Sequence, residues 1–213
     1  MDKRLIVLGL AGIGAYLLLI GESRFNDTSE TDNAPSILDE ITNTAGDIFM
    51  TTPSNDGNRA AFLYMLRVSE GTAGERGYNT QVGYTYFDDF STHPALAGWR
   101  GLPLSAEMCA GAGLGPGCVS TAAGAYQITK PTYKRVAANL GISDFSPGAQ
   151  DAIAIELIRE KGALVDIDNG NFADAVYKVR KVWASLPGAG YGQGERNLAT
   201  LQDAFVSAGG VLA

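Results

Sequence analysis

The stretch "NRAAFLYMLRVSEGT", residues 58–72, opens the part of the chain that the sequence predicts to fold. Its apolar residues recur at helical spacing and predict an amphipathic helix. They are Ala61, Phe62, Met65 and Leu66. The helix is expected to stop at Glu70-Gly71, because glycine readily adopts the left-handed conformation that ends helices. Gly71 suffices for that stop, so the carboxylate of Glu70 needs another explanation.

The rest of the chain predicts an α+β fold. Residues 72–126 are dominated by Gly, Tyr, Thr and Pro, with β-like pieces in "YNTQVGYTYF" and "GAYQIT". Helical patterns follow, and Ser146, Pro147 and Gly162 mark the start and stop of one of them. The further runs are "KPTYKRVAANLG", "FADAVYKVRKVWASLPG" and "ERNLATLQDAFVSAGG". A small β lobe inserted between helical parts would leave a cleft for an extended ligand.

The N-terminus carries a candidate membrane anchor. Residues 5–21, "LIVLGLAGIGAYLLLIG", are uncharged and follow Lys3 and Arg4. A spanning helix needs roughly 17–25 apolar residues, so this segment is at the short limit. The positive-inside rule keeps the N-terminus in the cytoplasm and exports the rest. A cleaved signal peptide is the alternative, but "LLLIGESRF" lacks the small-residue cleavage pattern, which favours an uncleaved anchor.

The acidity of the chain lies mainly in the segment after this anchor. Residues 22–56 hold eight acids and one base, whereas residues 57–213 hold 14 acids and 13 bases. Such a polar, acidic segment predicts a solvated linker. No basic stripe marks a nucleic-acid surface, so nucleic acid is not an expected partner. The predicted organisation is a transmembrane or signal-anchor helix (1–21), an acidic flexible linker (22–57) and a folded domain (58–213).

Two cysteines and one histidine limit the site chemistry. A structural zinc site needs about four ligands, so neither a metal nor another cofactor is expected. Export favours a disulfide between Cys109 and Cys118 over two free thiols. The glycine runs lack the spacing of phosphate-binding loops, which argues against a nucleotide site. His93 precedes a proline in "STHPAL" and has no nucleophile pattern around it.

Carboxylates are the candidates that remain, and Glu70 at a helix end is one of them. Partial burial of a glutamate at a helix end raises its pKa, so the carboxyl keeps its proton near neutral pH. Glycosidic bond cleavage requires such a general acid. A solvated surface carboxylate is the alternative interpretation when position alone is considered.

Six blocks in order resemble the bacteriophage lambda endolysin family, lytic transglycosylases of the lysozyme superfamily. The blocks are "FLYMLRVSEGT", "GYNTQVG", "FDDFSTHP", "STAAGAYQI", "DFSPGAQDAIAIELIREKGAL" and "VWASLPGAGYGQGE". They cover Asn58 to about Gly210, and the family's catalytic glutamate corresponds to Glu70. The resemblance implies a lysozyme-like fold with neither metal nor nucleotide. The anchor, the linker, the insertion "CAGAGLGPGC" and a shorter segment after Glu70 depart from the family pattern.

The resemblance also implies the mechanism. Phage lysozymes of a second type place Asp and Thr at fixed offsets after their Glu, and here those offsets hold Asn79 and Thr85. A hydrolase generally needs two carboxylates, whereas a transglycosylase uses its substrate's own C6 hydroxyl and needs one. Hydrolysis with Asp88 or Asp89 remains the alternative mechanism. A non-catalytic wall-binding or virion protein remains the alternative of another class.

Four further residues are implied only by the resemblance as substrate contacts: Tyr78, Tyr126, Gln127 and Tyr191. Tyr126 would stack on a sugar ring, and Gln127 would bind an acetamido group or orient Glu70. Packing within the β region is the alternative for Tyr78 and Tyr126. Gln150 and Asp151 are expected to serve as capping and packing groups, and Trp183 is expected to pack in the core.

We therefore expect an exported peptidoglycan lytic transglycosylase of phage origin that leaves 1,6-anhydro-N-acetylmuramic acid. Its partners would be glycan strands, a membrane through residues 5–21, and other virion proteins if it acts in genome delivery rather than host lysis. The folded domain would lie outside the cytoplasm, on the periplasmic side of the host or at a virion membrane.

Overall fold

The structure, a computed structural model, describes residues 55–191 and 194–213. The predicted anchor, residues 1–21, and nearly all of the predicted linker lie outside these residues. Among the helices that are described, none is long and apolar enough to cross a membrane.

Helices dominate the described part of the chain, and the strands are short. The helices are α1 (Asn55–Glu70), α2 (Ala106–Gly111), α3 (Lys130–Leu140), α4 (Pro147–Glu160), α5 (Leu164–Asp168), α6 (Phe172–Val179) and α7 (Leu198–Ser207). The strands are β1 (Thr80–Gln81), β2 (Thr85–Tyr86), β3 (Leu102–Pro103) and β4 (Val119–Ser120). Two antiparallel pairs, β1 with β2 and β3 with β4, replace a continuous sheet. This arrangement of helices and small sheets confirms the predicted α+β class.

Helix α1 is the centre of the core. The ring of Phe62 in this helix contacts Phe172 of α6 and Phe205 of α7, with ring centroids 6.1 and 6.5 Å apart. Phe62, Met65 and Leu66 are fully buried, and burial of each such side chain stabilises the fold by about 1.5–3 kcal/mol. The last two helices of the chain therefore pack on the helix that carries Glu70.

Helix α1 ends where the sequence predicts. Gly71 has φ of 73°, and the amide of Thr72 donates to the carbonyl of Arg67 at 2.8 Å, which is the Schellman pattern of helix termination. The Thr72 hydroxyl then donates to the carbonyl of Ala125 at 2.5 Å. This bond ties the end of α1 to the segment before α3.

The segment "GAYQIT" forms a tight turn rather than the predicted strand. Ala123 and Ile128 pair across it as an isolated bridge. Gly124 and Gln127 have φ of 76° and 46°. A Cβ at Gly124 would lie 2.1 Å from Oε1 of Gln150, so only glycine fits at this position.

The helical pattern of residues 172–188 also ends earlier than predicted. Helix α6 stops at Val179, and turns follow in which the amide of Val182 donates to Val179 and that of Leu186 to Trp183. These turns bring Ser185 to the end of α1.

A disulfide joins Cys109 of α2 to Cys118, as the sequence predicts. Ser105 caps α2 by accepting from the amide of Met108 at 3.2 Å. The cross-linked loop lies between β3 and β4, which pair in the register Leu102 with Ser120.

The first turns of α1 hold the C-terminal segment. The buried Asn58 donates to the carbonyls of Ile167 and Val211 at 2.9 and 3.1 Å. It also accepts from the amide of Val211 at 2.8 Å. Asn58 and Glu70 are twelve residues apart on one helix, which is about 18 Å.

Candidate active site

Glu70 is the last residue of α1 and is partly exposed to solvent. Its Oε1 accepts a hydrogen bond from the hydroxyl of Ser185 at 2.6 Å. Gly71, with φ of 73°, turns the chain away directly after Glu70. Glu70 thus lies where the end of α1 meets the turns after α6.

Ser185 and Ser69 lie behind the carboxyl and are both fully buried. Their hydroxyl oxygens are 2.7 Å apart. Ser185 also accepts, through its carbonyl, from the amide of Arg196 at 2.8 Å. No local sequence pattern predicts this role for Ser185, because the serine in "WASLPG" contacts a residue 115 positions away.

Arg196 brings a positive charge to the same place. Its Nε donates to the carbonyl of Ser69 at 3.3 Å. Burial raises the pKa of the Glu70 carboxyl from 4.5 to about 7, while the bond from Ser185 and the charge of Arg196 act in the opposite direction. A carboxyl with this pKa is present in both protonation states near neutral pH.

The two aspartates of the alternative mechanism are held elsewhere. Asp88 pairs with Arg76 at 3.0 Å and its side chain is 89% exposed. Asp89 accepts from the amide of Ser91 at 2.8 Å. Asn79, directly before β1, donates to the carbonyl of Phe87, directly after β2, at 2.9 Å.

Tyr126 and Tyr78 are engaged by one carboxylate. Their hydroxyls donate to Oδ1 of Asp151 at 2.6 and 2.8 Å. Tyr126 is 1% exposed, so its ring has no face open to a sugar and packs as the alternative interpretation describes. Tyr78 is partly exposed, with the guanidinium of Arg67 4.8 Å from its ring centroid. The structure thus corrects the stacking role expected for Tyr126.

Gln127 holds the turn that precedes α3. Its side-chain amide donates to the carbonyls of Gly124 and Thr80 at 2.9 and 3.3 Å. The structure therefore places no bond between Gln127 and Glu70, and gives the amide a local role. Gln150 likewise braces the turn by accepting from the amide of Ala125 at 2.8 Å.

Tyr191 is partly exposed on the glycine-rich loop before α7. Its hydroxyl donates to the carbonyl of Lys181 at 2.9 Å. Its own carbonyl lies against Gly111 at the end of α2, where a Cβ would approach to 2.7 Å. The disulfide-linked insertion and the loop of Tyr191 are therefore in contact.

Tyr84 is a residue that the sequence analysis did not single out. It closes the turn between β1 and β2 with φ of 60°, which is unusual for a residue with a Cβ. Its ring is 39% exposed, and Arg196 acts to lower its pKa against a larger opposing effect of burial. Arg196 thus acts electrostatically on both Tyr84 and Glu70.

His93 is a core residue. It is fully buried, and its Nε2 lies 2.9 Å from the carbonyl of Ile128. Burial lowers its pKa, so the ring is neutral at physiological pH. Across residues 55–191 and 194–213, no group of three or more His, Cys, Asp or Glu side chains is placed to hold a metal ion.

The chain is similar to known proteins at the levels of family, sequence and structure. A family model described as "Endolysin" matches residues 60–212. The chain is 40% identical to the endolysin of Escherichia phage lambda over 163 residues, or 74% of this chain and 94% of that protein. It is 42% identical to the endolysin of Escherichia phage P2 over 167 residues, or 72% and 94%.

Solved structures agree with the sequence relatives. Bacteriophage lambda lysozyme complexed with a chitohexasaccharide superposes with a TM-score of 0.63 at 40% identity, covering 74% of this chain and 97% of that one. A second lambda lysozyme structure gives a TM-score of 0.60 at 39% identity, with the same coverage. The described fold is therefore similar to that of lambda lysozyme.

Proposed function

The chain belongs to the endolysin family, and from this premise we propose that it is a peptidoglycan lytic transglycosylase with Glu70 as its catalytic residue. Membership in the family makes it a peptidoglycan-degrading enzyme of phage type and confirms the resemblance in the six sequence blocks. The proposed bond is the β-1,4 linkage between N-acetylmuramic acid and N-acetylglucosamine. The proposed product end is 1,6-anhydro-N-acetylmuramic acid.

The observation that carries the proposal is the Glu70 carboxyl at the end of α1, which bonds Ser185, while Asp88 and Asp89 of the alternative mechanism bond Arg76 and Ser91 instead. Hydrolases that use two carboxylates hold them about 5–9.5 Å apart. Arg196 is the charged group that acts on Glu70 in the described residues.

The mechanism follows from this single group. Protonated Glu70 donates its proton to the glycosidic oxygen while the bond to C1 of the muramic acid breaks. The resulting carboxylate then accepts the proton of the C6 hydroxyl as that oxygen attacks C1. The new bond closes the 1,6-anhydro ring, Glu70 regains its proton, and no water is consumed.

The substrate proposal rests on the solved relative. Lambda lysozyme was solved with a chitohexasaccharide, which supports an extended glycan strand as the ligand of this chain too. Exposed Tyr84 and partly exposed Tyr191 and Tyr78 are the aromatic candidates for contacts with sugar rings.

Product analysis tests the reaction type. We expect mass spectrometry of fragments released from purified sacculi to show 1,6-anhydro ends, because the substrate supplies the nucleophile. Reducing ends in their place would mean that water is the nucleophile and would reject the transglycosylase mechanism. The double variant Asp88→Asn/Asp89→Asn should release the same products, since both side chains are engaged away from Glu70.

Substitution tests the catalytic residue. Glu70→Gln removes the transferable proton and should lower sacculus clearance by at least about a thousandfold, within the range expected for loss of a general acid that also serves as base. Glu75→Gln, a change of an exposed glutamate five residues away, is the matched control and should clear as the parent does. Clearance by Glu70→Gln at the parent's rate would favour a wall-binding protein without this chemistry.

The location of the enzyme is a separate proposal. Residues 5–21 and the bases before them support an anchor with the folded domain outside the cytoplasm, in host lysis or in genome delivery. Protease added to intact spheroplasts should degrade a C-terminal epitope, while protection of that epitope would place the domain inside the cytoplasm.

A further inference from the structure

We propose that Ser69 and Ser185 are positioning residues that form a one-way hydrogen-bond chain to Glu70, which keeps Oε1 as an acceptor and leaves Oε2 to carry the working proton. The inference rests on the proposed function, because it assigns separate roles to the two oxygens of the catalytic carboxyl. Neither serine touches substrate in this scheme.

The chain is short and enclosed. Ser69 and Ser185 are 2.7 Å apart at their hydroxyl oxygens, and Ser185 is 2.6 Å from Oε1 of Glu70. Both serines are fully buried, so bulk water does not compete for these bonds. Helix α1 supplies Ser69 and Glu70, whereas the turns after α6 supply Ser185.

The direction of the chain follows from counting protons. Each serine has one hydroxyl proton. If Ser69 donates to Ser185 and Ser185 donates to Glu70, every proton has an acceptor. In the reverse direction the proton of Ser69 would need a further acceptor, and Ser185 is the one partner of the Ser69 hydroxyl in the described chain. A buried donor without an acceptor costs about 1–3 kcal/mol, so the forward direction is favoured.

The forward direction determines where the proton of Glu70 resides. Oε1 receives the Ser185 hydroxyl and cannot at the same time donate back along that bond. The protonated carboxyl therefore carries its proton on Oε2. The same Ser185 bond persists after the proton has left, so the carboxylate forms without rearrangement of its surroundings.

The surroundings of Glu70 determine the direction in which its pKa should move when the Ser185 hydroxyl is removed. Arg196, from the segment before α7, is the ionised group that acts on the carboxyl, and burial opposes ionisation. The Ser185 bond favours the carboxylate. Its removal therefore leaves burial less opposed and raises the pKa of Glu70, so the acid form persists to higher pH.

The pH dependence of the full-length Ser185→Ala variant tests the chain. The general acid must be protonated, so kcat/KM falls as pH rises through the pKa of Glu70. We call this decline of kcat/KM at high pH the alkaline limb of the pH–rate profile. In Ser185→Ala we expect the alkaline limb to move to higher pH by about one unit. We also expect kcat to fall about tenfold. A ¹³C NMR titration of Glu70 in the same variant should show the same upward shift.

Two further variants separate positioning from stability. Ser69→Ala leaves Ser185 present but unaligned, so the limb should move in the same direction by a smaller amount. Thr72→Val removes a buried hydroxyl that bonds Ala125 rather than Glu70. Thr72→Val should lower the melting temperature and leave the position of the limb unchanged.

The outcomes distinguish this inference from the proposed function. An inactive Glu70→Gln together with an unshifted limb in Ser185→Ala would overturn the chain and leave the catalytic role of Glu70 standing. A shift of equal size in Thr72→Val would overturn it too, because a general structural effect would then explain both. An active Glu70→Gln would reject the proposed function itself.

Discussion

At the level of single residues, three influences determine the pKa of Glu70, one raising it and two lowering it. Burial favours the neutral acid, whereas the Ser185 hydroxyl and the Arg196 guanidinium favour the carboxylate. Burial prevails and raises the pKa of Glu70 to about 7, so both protonation states are populated near neutral pH. Because the folded protein disfavours the ionised carboxyl, ionisation of Glu70 lowers the free energy of unfolding.

Glu70→Gln should stabilise the protein at alkaline pH. The folded pKa of about 7 lies above the ordinary value of 4.5, so ionisation of Glu70 reduces stability as pH rises from about 4.5 through 7. Because the group is partly exposed, we expect a gain of about 1–3 kcal/mol at pH 8, and little gain at pH 4. Denaturant unfolding at both values measures it, and an equal effect at the two would contradict the assignment.

Tyr126→Phe tests whether a buried tyrosine serves packing rather than sugar binding. The variant loses the bond to Asp151 and should lower the unfolding free energy by about 1–3 kcal/mol. We expect KM to change less than twofold, because the ring is not accessible. A large rise in KM at unchanged melting temperature would instead restore the substrate role.

At the level of elements, Glu70 lies where connections between helices meet. The end of α1, the turn at Gly124 and the turns after α6 meet through Thr72 with Ala125 and Glu70 with Ser185. The sequence predicts the first of these, because a helical stripe followed by glycine is a local signal. The turns depend on long-range packing, which single-sequence periodicity does not contain.

The disulfide loop offers a prediction at this scale. Cys109→Ser/Cys118→Ser opens a cross-link over nine residues and should lower the unfolding free energy by about 2–3 kcal/mol in the chain-entropy model. Hydrogen exchange should increase mainly in α2 and β4, which the cross-link joins. A reductant added to the parent should reproduce both changes, whereas unchanged exchange would show that the loop is held by other contacts.

At the level of the whole molecule, the folded domain is closed by its two ends. Asn58 at the start of α1 bonds both α5 and the C-terminal segment. The same side chain could not be assigned this role from the sequence, because an asparagine at the beginning of a helical pattern usually indicates capping. The predicted α+β class and the position of Glu70, by contrast, follow from the ordered sequence blocks and helical stripe.

Asn58→Ala should show how much this closure contributes. Three hydrogen bonds are lost and buried carbonyls are left without a donor, so we expect a loss of about 2–4 kcal/mol. Asn171→Ala is the matched control, since that side chain is exposed and makes no capping bond. Equal melting temperatures for the two variants would contradict the proposed closure.

The hydrogen bonds between Asn58 and Val211 also suggest that the chain can be circularly permuted. Because the two ends of the domain are hydrogen-bonded neighbours, a short peptide could join them directly, and new termini could be cut at the exposed Ser143 between α3 and α4. Such a circular permutant would retain every contact around Glu70, which lies about 18 Å along α1 from the new junction. Because the permutant would begin near Ser143, its activity would also show whether the folded domain cleaves glycan without residues 1–57 before it.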